Sequence, residues 1–193
     1  MIDVQYAKEL QNLREKYYET GNFEDVLPEA LELNETAFTN TMNDAEEYQE
    51  WTYYIEQATK PFRNYDIVEI AKVIRKELKN EFGKDIKFNV KTKRGYTPVL
   101  YITIKPQNDK YFQPLNEFMN EYKKEYRSDE LFEKYSIGDI NRLNENIRNT
   151  IKNIVELFVV DNSDIMTDYF DINYVAWYKL EFAGESHAGY TGI

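Results

Sequence analysis

YDIVEIAKVIRKELKNEFGKDIKFNVKTKRGYTPVLYITIK, Tyr65–Lys105, changes its apolar period once, and that change decides the fold. In the first half Ile67, Ile70, Ile74, Leu78 and Phe82 recur at three- and four-residue intervals, the spacing that lines one face of a helix. Asp66 is placed to cap this helix, Glu69 three residues on completes a capping box, and Gly83 suits the left-handed residue past its end. In the second half Ile86, Phe88 and Val90 alternate with Lys87, Asn89, Lys91 and Lys93, the two-residue period of a half-buried strand. Residues 94–98 read as a turn and 99–105 as an antiparallel partner strand.

Upstream, Ile2, Tyr6, Leu10, Leu13 and Tyr17 share one helical face that Gly21 terminates. A second helix starts near Pro28 and carries Leu27, Leu31 and Phe38. A third starts at Asn43 or Asp44, sets Tyr48, Trp51, Tyr54 and Ile55 against Glu46, Glu47 and Glu50, and ends at Lys60-Pro61. Downstream, Leu115, Phe118, Met119 and Tyr122 mark the inward face of one helix. Ile140, Leu143, Ile147, Ile151, Ile154 and Phe158 mark that of a longer one. Alternation of Phe170, Ile172, Tyr174, Ala176, Tyr178, Leu180 and Phe182 gives a last strand, with a break within it, before a glycine-rich tail expected to be mobile. The expected fold class is α+β: a small antiparallel sheet packed with several helices, plus an acidic helical N-terminal region. The expected division is 1–60 and 61–193.

Charge is laid out in blocks. Residues 1–60 hold 14 acids and 4 bases, 61–110 hold 6 and 12, and 111–193 hold 15 and 8, so a basic middle lies between acidic ends of a chain whose net charge is -11. The absence of cysteine excludes disulfides, thiolate nucleophiles and Cys-based zinc sites. The amino terminus is charged and amphipathic, unlike a signal peptide, and no apolar run approaches the roughly 20 residues of a membrane span. A cytoplasmic protein with no membrane partner is the simplest expectation.

Familiar catalytic patterns are missing. No glycine-rich phosphate loop, HExxH pair or dinucleotide fingerprint occurs. Ser186 in GESHAG imitates a nucleophile elbow, but His187 is the one histidine of the chain, so no second histidine exists to serve as base. Asp161, Asp164, Asp168 and Asp171 offer hard oxygen ligands, which makes a metal-dependent enzyme one alternative. Their spacing lacks the glycine and the terminal glutamate of a calcium loop and fits a turn before a strand better. No metal, cofactor or catalytic residue is therefore expected.

Two binding readings remain. Lys72, Arg75, Lys76 and Lys79 on the helix, with Lys87, Lys91, Lys93 and Arg94 on the strand and turn, form a nucleic-acid contact if they share a face. The acidic first segment suggests the opposite, a surface that imitates a phosphate backbone and enters a basic channel. Its expected contact residues are Glu46, Glu47, Glu50, Trp51, Tyr54 and Glu56.

The helix Ile74–Lys79 (IRKELK), the strand Lys87–Val90 (KFNV) and the run Asn162–Phe170 (NSDIMTDYF) occur in this order. Over about residues 66–180 the chain thereby resembles one of the large polyvalent protein associated domains of phage and conjugative-element proteins. The stretch after Arg94 departs from the glycine- and serine-rich turn of that family. The resemblance implies a mobile-element setting and interference with host defence; it transfers no catalytic residue. Together with the acidic segment it leads to the expectation of an inhibitor that binds a bacterial defence nuclease, such as a CRISPR-associated effector or a restriction enzyme, in the host cytoplasm. Its most concrete form is an anti-CRISPR protein.

Overall fold

The period change at Gly83 is a helix-to-strand transition in the computed structural model, which describes residues 2–41, 47–122, 139–161, 163, 171–181 and 191–192. The fold is α+β, in two units: Met1–Asp66 with Leu157–Asn173, and Ile67–Glu156 with Tyr174–Ile193. The first unit thus runs past residue 60. Phe62 is buried edge-on to Tyr6 and Phe158, and Arg63 grips Asp171 with two 2.7 Å hydrogen bonds, which ties 61–66 and the 157–173 segment to the amino-terminal helices.

In the first unit, helix α1 (Val4–Thr20) starts where the Asp3 carboxylate accepts the Tyr6 N–H at 3.0 Å. It stops at Gly21, whose φ of 68° is costly for any residue with a Cβ and whose N–H returns to the Tyr17 carbonyl. Ala7, Leu10 and Leu13 form its buried face. Helix α2 (Leu27–Thr41) is broken at Asn34, where φ is -155° and ψ is 79°. The Asn34 side-chain Oδ1 accepts the Ala37 N–H at 2.9 Å and so recaps the second half. Its amide donates to the Tyr6 hydroxyl at 2.7 Å, and Tyr6 donates onward to the Ala58 carbonyl at 2.8 Å. One side-chain relay therefore joins α1, α2 and helix α3 (Glu47–Thr59). The aromatic stripe of α3 faces this bundle: Trp51 stacks on Tyr17 at 4.3 Å, and Tyr54 donates to the Ala30 carbonyl at 3.0 Å.

In the second unit, helix α4 (Ile67–Phe82) buries Ile67, Ile70, Ile74 and Leu78, and Gly83 ends it with φ 58°. Strands β1 (Ile86–Lys93) and β2 (Val99–Pro106) pair antiparallel, as their alternation requires. Helix α5 (Leu115–Tyr122) buries Phe118 and Tyr122 but leaves Met119 37% exposed, against the expected inward placement. The long downstream helix is shorter than its apolar spacing suggests. Asp139 caps a 3-10 turn at Ile140–Arg142, Leu143 is extended, and helix α6 spans Glu145–Glu156. Strand β3 (Val175–Leu180) buries Ala176, Tyr178 and Leu180. The break before it is real: Asn173 uses its amide on the Phe158 carbonyl and the Val160 N–H, taking the chain out of the strand. Phe170 and Phe182 lie outside the described residues.

The sheet order is β1-β2-β3-β4, with β4 the short Thr191–Gly192 pairing in the tail. β3 lies parallel to β2, so the sheet is mixed rather than wholly antiparallel. The β2–β3 connection runs through α5 and α6, long enough for the crossover that a parallel pair needs. Ile86 and Val90, Leu100, Ile102 and Ile104, and the β3 trio form the buried face, against which α4 packs. Arg75 of α4 donates twice to the Val90 carbonyl, at 2.8 and 3.2 Å.

Candidate functional site

The two units carry opposite charge. The first holds 19 acids and 5 bases, a net of -14; the second holds 16 and 19, a net of +3. With so few bases in the first unit, one-to-one pairing leaves most of its carboxylates without a cation inside it. Each unit accordingly offers a different surface.

The acidic surface is not the one that the α3 pattern suggests. Trp51 is 4% exposed and Tyr54 fully buried, because the aromatic stripe of α3 packs against Tyr17, Phe23 and each other. They are core residues and cannot anchor a partner on an intact fold. Glu56 is half-buried; Glu47 and Glu50 lie on the α3 backbone but their side chains, like all of Glu46, lie outside the described residues.

The described residues instead form an acidic groove between α1 and α2. Asp3 and Glu9 line one side, Glu29 and Glu32 the other, over an apolar floor that includes Leu13 and Leu33. Its volume of about 590 Å³ takes several partner side chains rather than one ion. Lys16 offsets part of the charge through a 2.5 Å pair with Glu29, both side chains substantially solvated. Tyr6, also in the wall, has its phenol pKa raised by burial, against the Asn34 hydrogen bond, so it stays a neutral donor. Residue spacing hints at this groove only weakly. Glu29, Glu32 and Leu33 share a face of α2, and Tyr6, Glu9 and Leu13 a face of α1, but their meeting depends on how the helices pack.

The basic residues divide between two sides of the second unit. Lys72, Arg75, Lys76 and Lys79 belong to α4, on the covered side of the sheet; Lys72 pairs with Glu69 at 2.6 Å and Arg75 is spent on Val90. Lys87, Lys91 and Lys93 project from the opposite face of β1 and are exposed, and Arg94 follows at the turn. The register brings Tyr101 and Lys105 of β2 and Trp177 and Lys179 of β3 to that same face. Tyr101 and Trp177 are neighbours at 6.4 Å, and Trp177 is 40% exposed. At one end Glu181 binds both Lys105, at 2.5 Å, and Lys179, at 3.0 Å. These two lysines, Lys105 first, hold its carboxyl below the usual range. The eight basic residues named from sequence therefore do not form one patch; the β1 subset does, with Tyr101 across the hairpin and Trp177, far away in sequence, beside it.

The aspartate run is used structurally where it is described. Asp161 accepts the Ser163 N–H at 3.0 Å in a turn and bridges to Ile172, while Asp171 is held by Arg63. Asp164, Asp168, Ser186 and His187 lie outside the described residues. Among the described residues no three acidic or histidine side chains gather closely enough to hold a metal ion, and no helix is long and apolar enough to cross a membrane. No protein-family model, curated protein or solved structure matches the chain.

Proposed function

We propose that this chain is a non-catalytic inhibitor that binds a bacterial defence nuclease, most concretely an anti-CRISPR protein, and that its acidic first unit occupies the cationic groove in which the nuclease holds nucleic acid. The observation that carries the reading is the charge partition, -14 on one unit and +3 on the other. A surface of that density steers toward a basic channel and competes with the phosphate backbone for it. The groove between α1 and α2 supplies what charge alone lacks, an apolar floor under four carboxylates. It suits partner arginine or lysine side chains, whose stems pack while their heads pair. The proposed setting is that of a phage or mobile element in the host cytoplasm, as the resemblance read from the sequence of residues 66–180 implies.

The reading has a direct test. Purified guide-loaded CRISPR effectors and restriction enzymes are assayed for cleavage with the intact chain and with Glu9→Lys/Glu32→Lys. Both positions are solvent-exposed, so circular dichroism should be unchanged. The expected result is inhibition of at least one nuclease by the intact chain and a loss of at least tenfold in potency for the variant. Equal potency of the two proteins rejects the acidic groove as the contact.

A further inference from the structure

We infer that the sheet face opposite α4 binds single-stranded nucleic acid along its exposed β1 edge, with a base stacked on Trp177 beside Tyr101 and the backbone held by the lysines of β1. This inference is independent of the acidic groove and concerns the other unit. Helix α4 packs on one side of the sheet, and the register aligns Lys91, Tyr101 and Trp177 in a single row across three strands on the other. Lys93 and Lys87 extend the cationic edge on either side of that row. From Lys87 to Lys93 is six strand steps, about 20 Å, room for several successive phosphates. Among the described residues none of these three lysines forms an ion pair.

The chemistry selects the occupant. Trp177 is 40% exposed and Tyr96, at the hairpin tip, is fully so. Aromatic rings on strands are ordinary, but an exposed indole with a half-buried phenol 6.4 Å away and lysines along the edge is a platform for flat π-systems beside phosphates. Duplex bases present only their edges, since their faces are stacked on one another; unpaired bases offer the faces that this surface can cover. Protein interfaces in their centres are depleted of lysine, which makes a protein a poorer match. The chain's overall -11 does not prevent binding: the field is screened over about 8 Å at physiological salt, and this unit is itself net positive. Glu181 acts as a local brake, since it occupies Lys105 and Lys179 at the end of the same face.

Fluorescence anisotropy of labelled dT15 and of a DNA duplex of equal length, with the full chain at 50 and 200 mM salt, tests the inference. The expected pattern is binding of dT15 that weakens with salt, duplex binding at least fivefold weaker, and quenching of tryptophan emission on saturation. Trp177→Ala should weaken dT15 binding on the order of tenfold, as the loss of one stacking platform does. Lys91→Glu/Lys93→Glu, at exposed positions that burden the fold little, should abolish it, and Glu181→Gln should tighten it severalfold by releasing two lysines. No dT15 binding at 50 mM salt overturns the inference. So does binding that Trp177→Ala and the lysine reversals leave unchanged, or an equal affinity for duplex. Nuclease inhibition by the chain is unaffected by any of these outcomes.

Discussion

Trp51 and Trp177 share a residue type and have opposite environments. Trp51 sits at helical spacing from Tyr54, and both lie in the core, Trp51 being 4% exposed and Tyr54 fully buried. Trp177 alternates with buried Ala176 and Tyr178 and so points to the open side of its strand. Periodicity contained both facts; the charge of the neighbouring glutamates obscured the first. Trp51→Ala should cost about 3–5 kcal/mol and lower the melting temperature sharply, because it empties a packed aromatic site. A surface anchor would lose almost nothing on the same substitution.

Tyr54 and Tyr178 give the same scale a pH dependence. Burial, the largest effect at both, pushes each phenol above its ordinary pKa of 10.0; nearby Tyr6 adds to this at Tyr54, and Glu156 and Tyr174 at Tyr178. The folded state keeps the neutral phenol while the unfolded chain ionises near pH 10, so this stability is intact below pH 10 and lost as pH climbs beyond it. Thermal melts between pH 9 and 11.5 should show a falling melting temperature, and Tyr178→Phe should flatten that slope. A slope that Tyr178→Phe leaves unchanged would remove Tyr178 from the explanation.

At the scale of elements, the α4–β1–β2 unit is legible almost to its end residues because its signals are local: a stripe, a glycine, an alternation. The kink of α2 and the parallel β3 were not legible, since each is fixed by partners distant in sequence. Asn34 looks like an ordinary polar helix residue until Tyr6 is beside it. The acidic groove and the Tyr101–Trp177 pair were missed for the same reason: α1 meets α2, and β2 meets β3, only in the fold. The Asn34–Tyr6–Ala58 relay should behave as a unit. Tyr6→Phe and Asn34→Ala should each cost about 1–3 kcal/mol in denaturant melts, and the double variant less than their sum, because each substitution already breaks the shared bond. Full additivity would show that the two residues act separately.

At the scale of the whole molecule, the blocks of charge along the sequence become two units of opposite sign, and this correspondence underlies both proposed surfaces. The sequence blocks do not coincide with the units. The acidic count of the first unit includes Asp161 and Asp171, from a segment more than ninety positions downstream of Asp66, and the second unit is net positive only because the basic middle, +6 over residues 67–110, outweighs the -3 of its remaining residues. Cationic-groove binding by the first unit is the central claim, and long-range attraction is its physical signature. The association rate of the chain with a guide-loaded nuclease that it inhibits, measured from 50 to 300 mM salt, is the most direct test. The account predicts a rate that falls at least tenfold over that range and that Glu9→Lys/Glu32→Lys lowers most at low salt. A rate indifferent to both salt and charge reversal would contradict it.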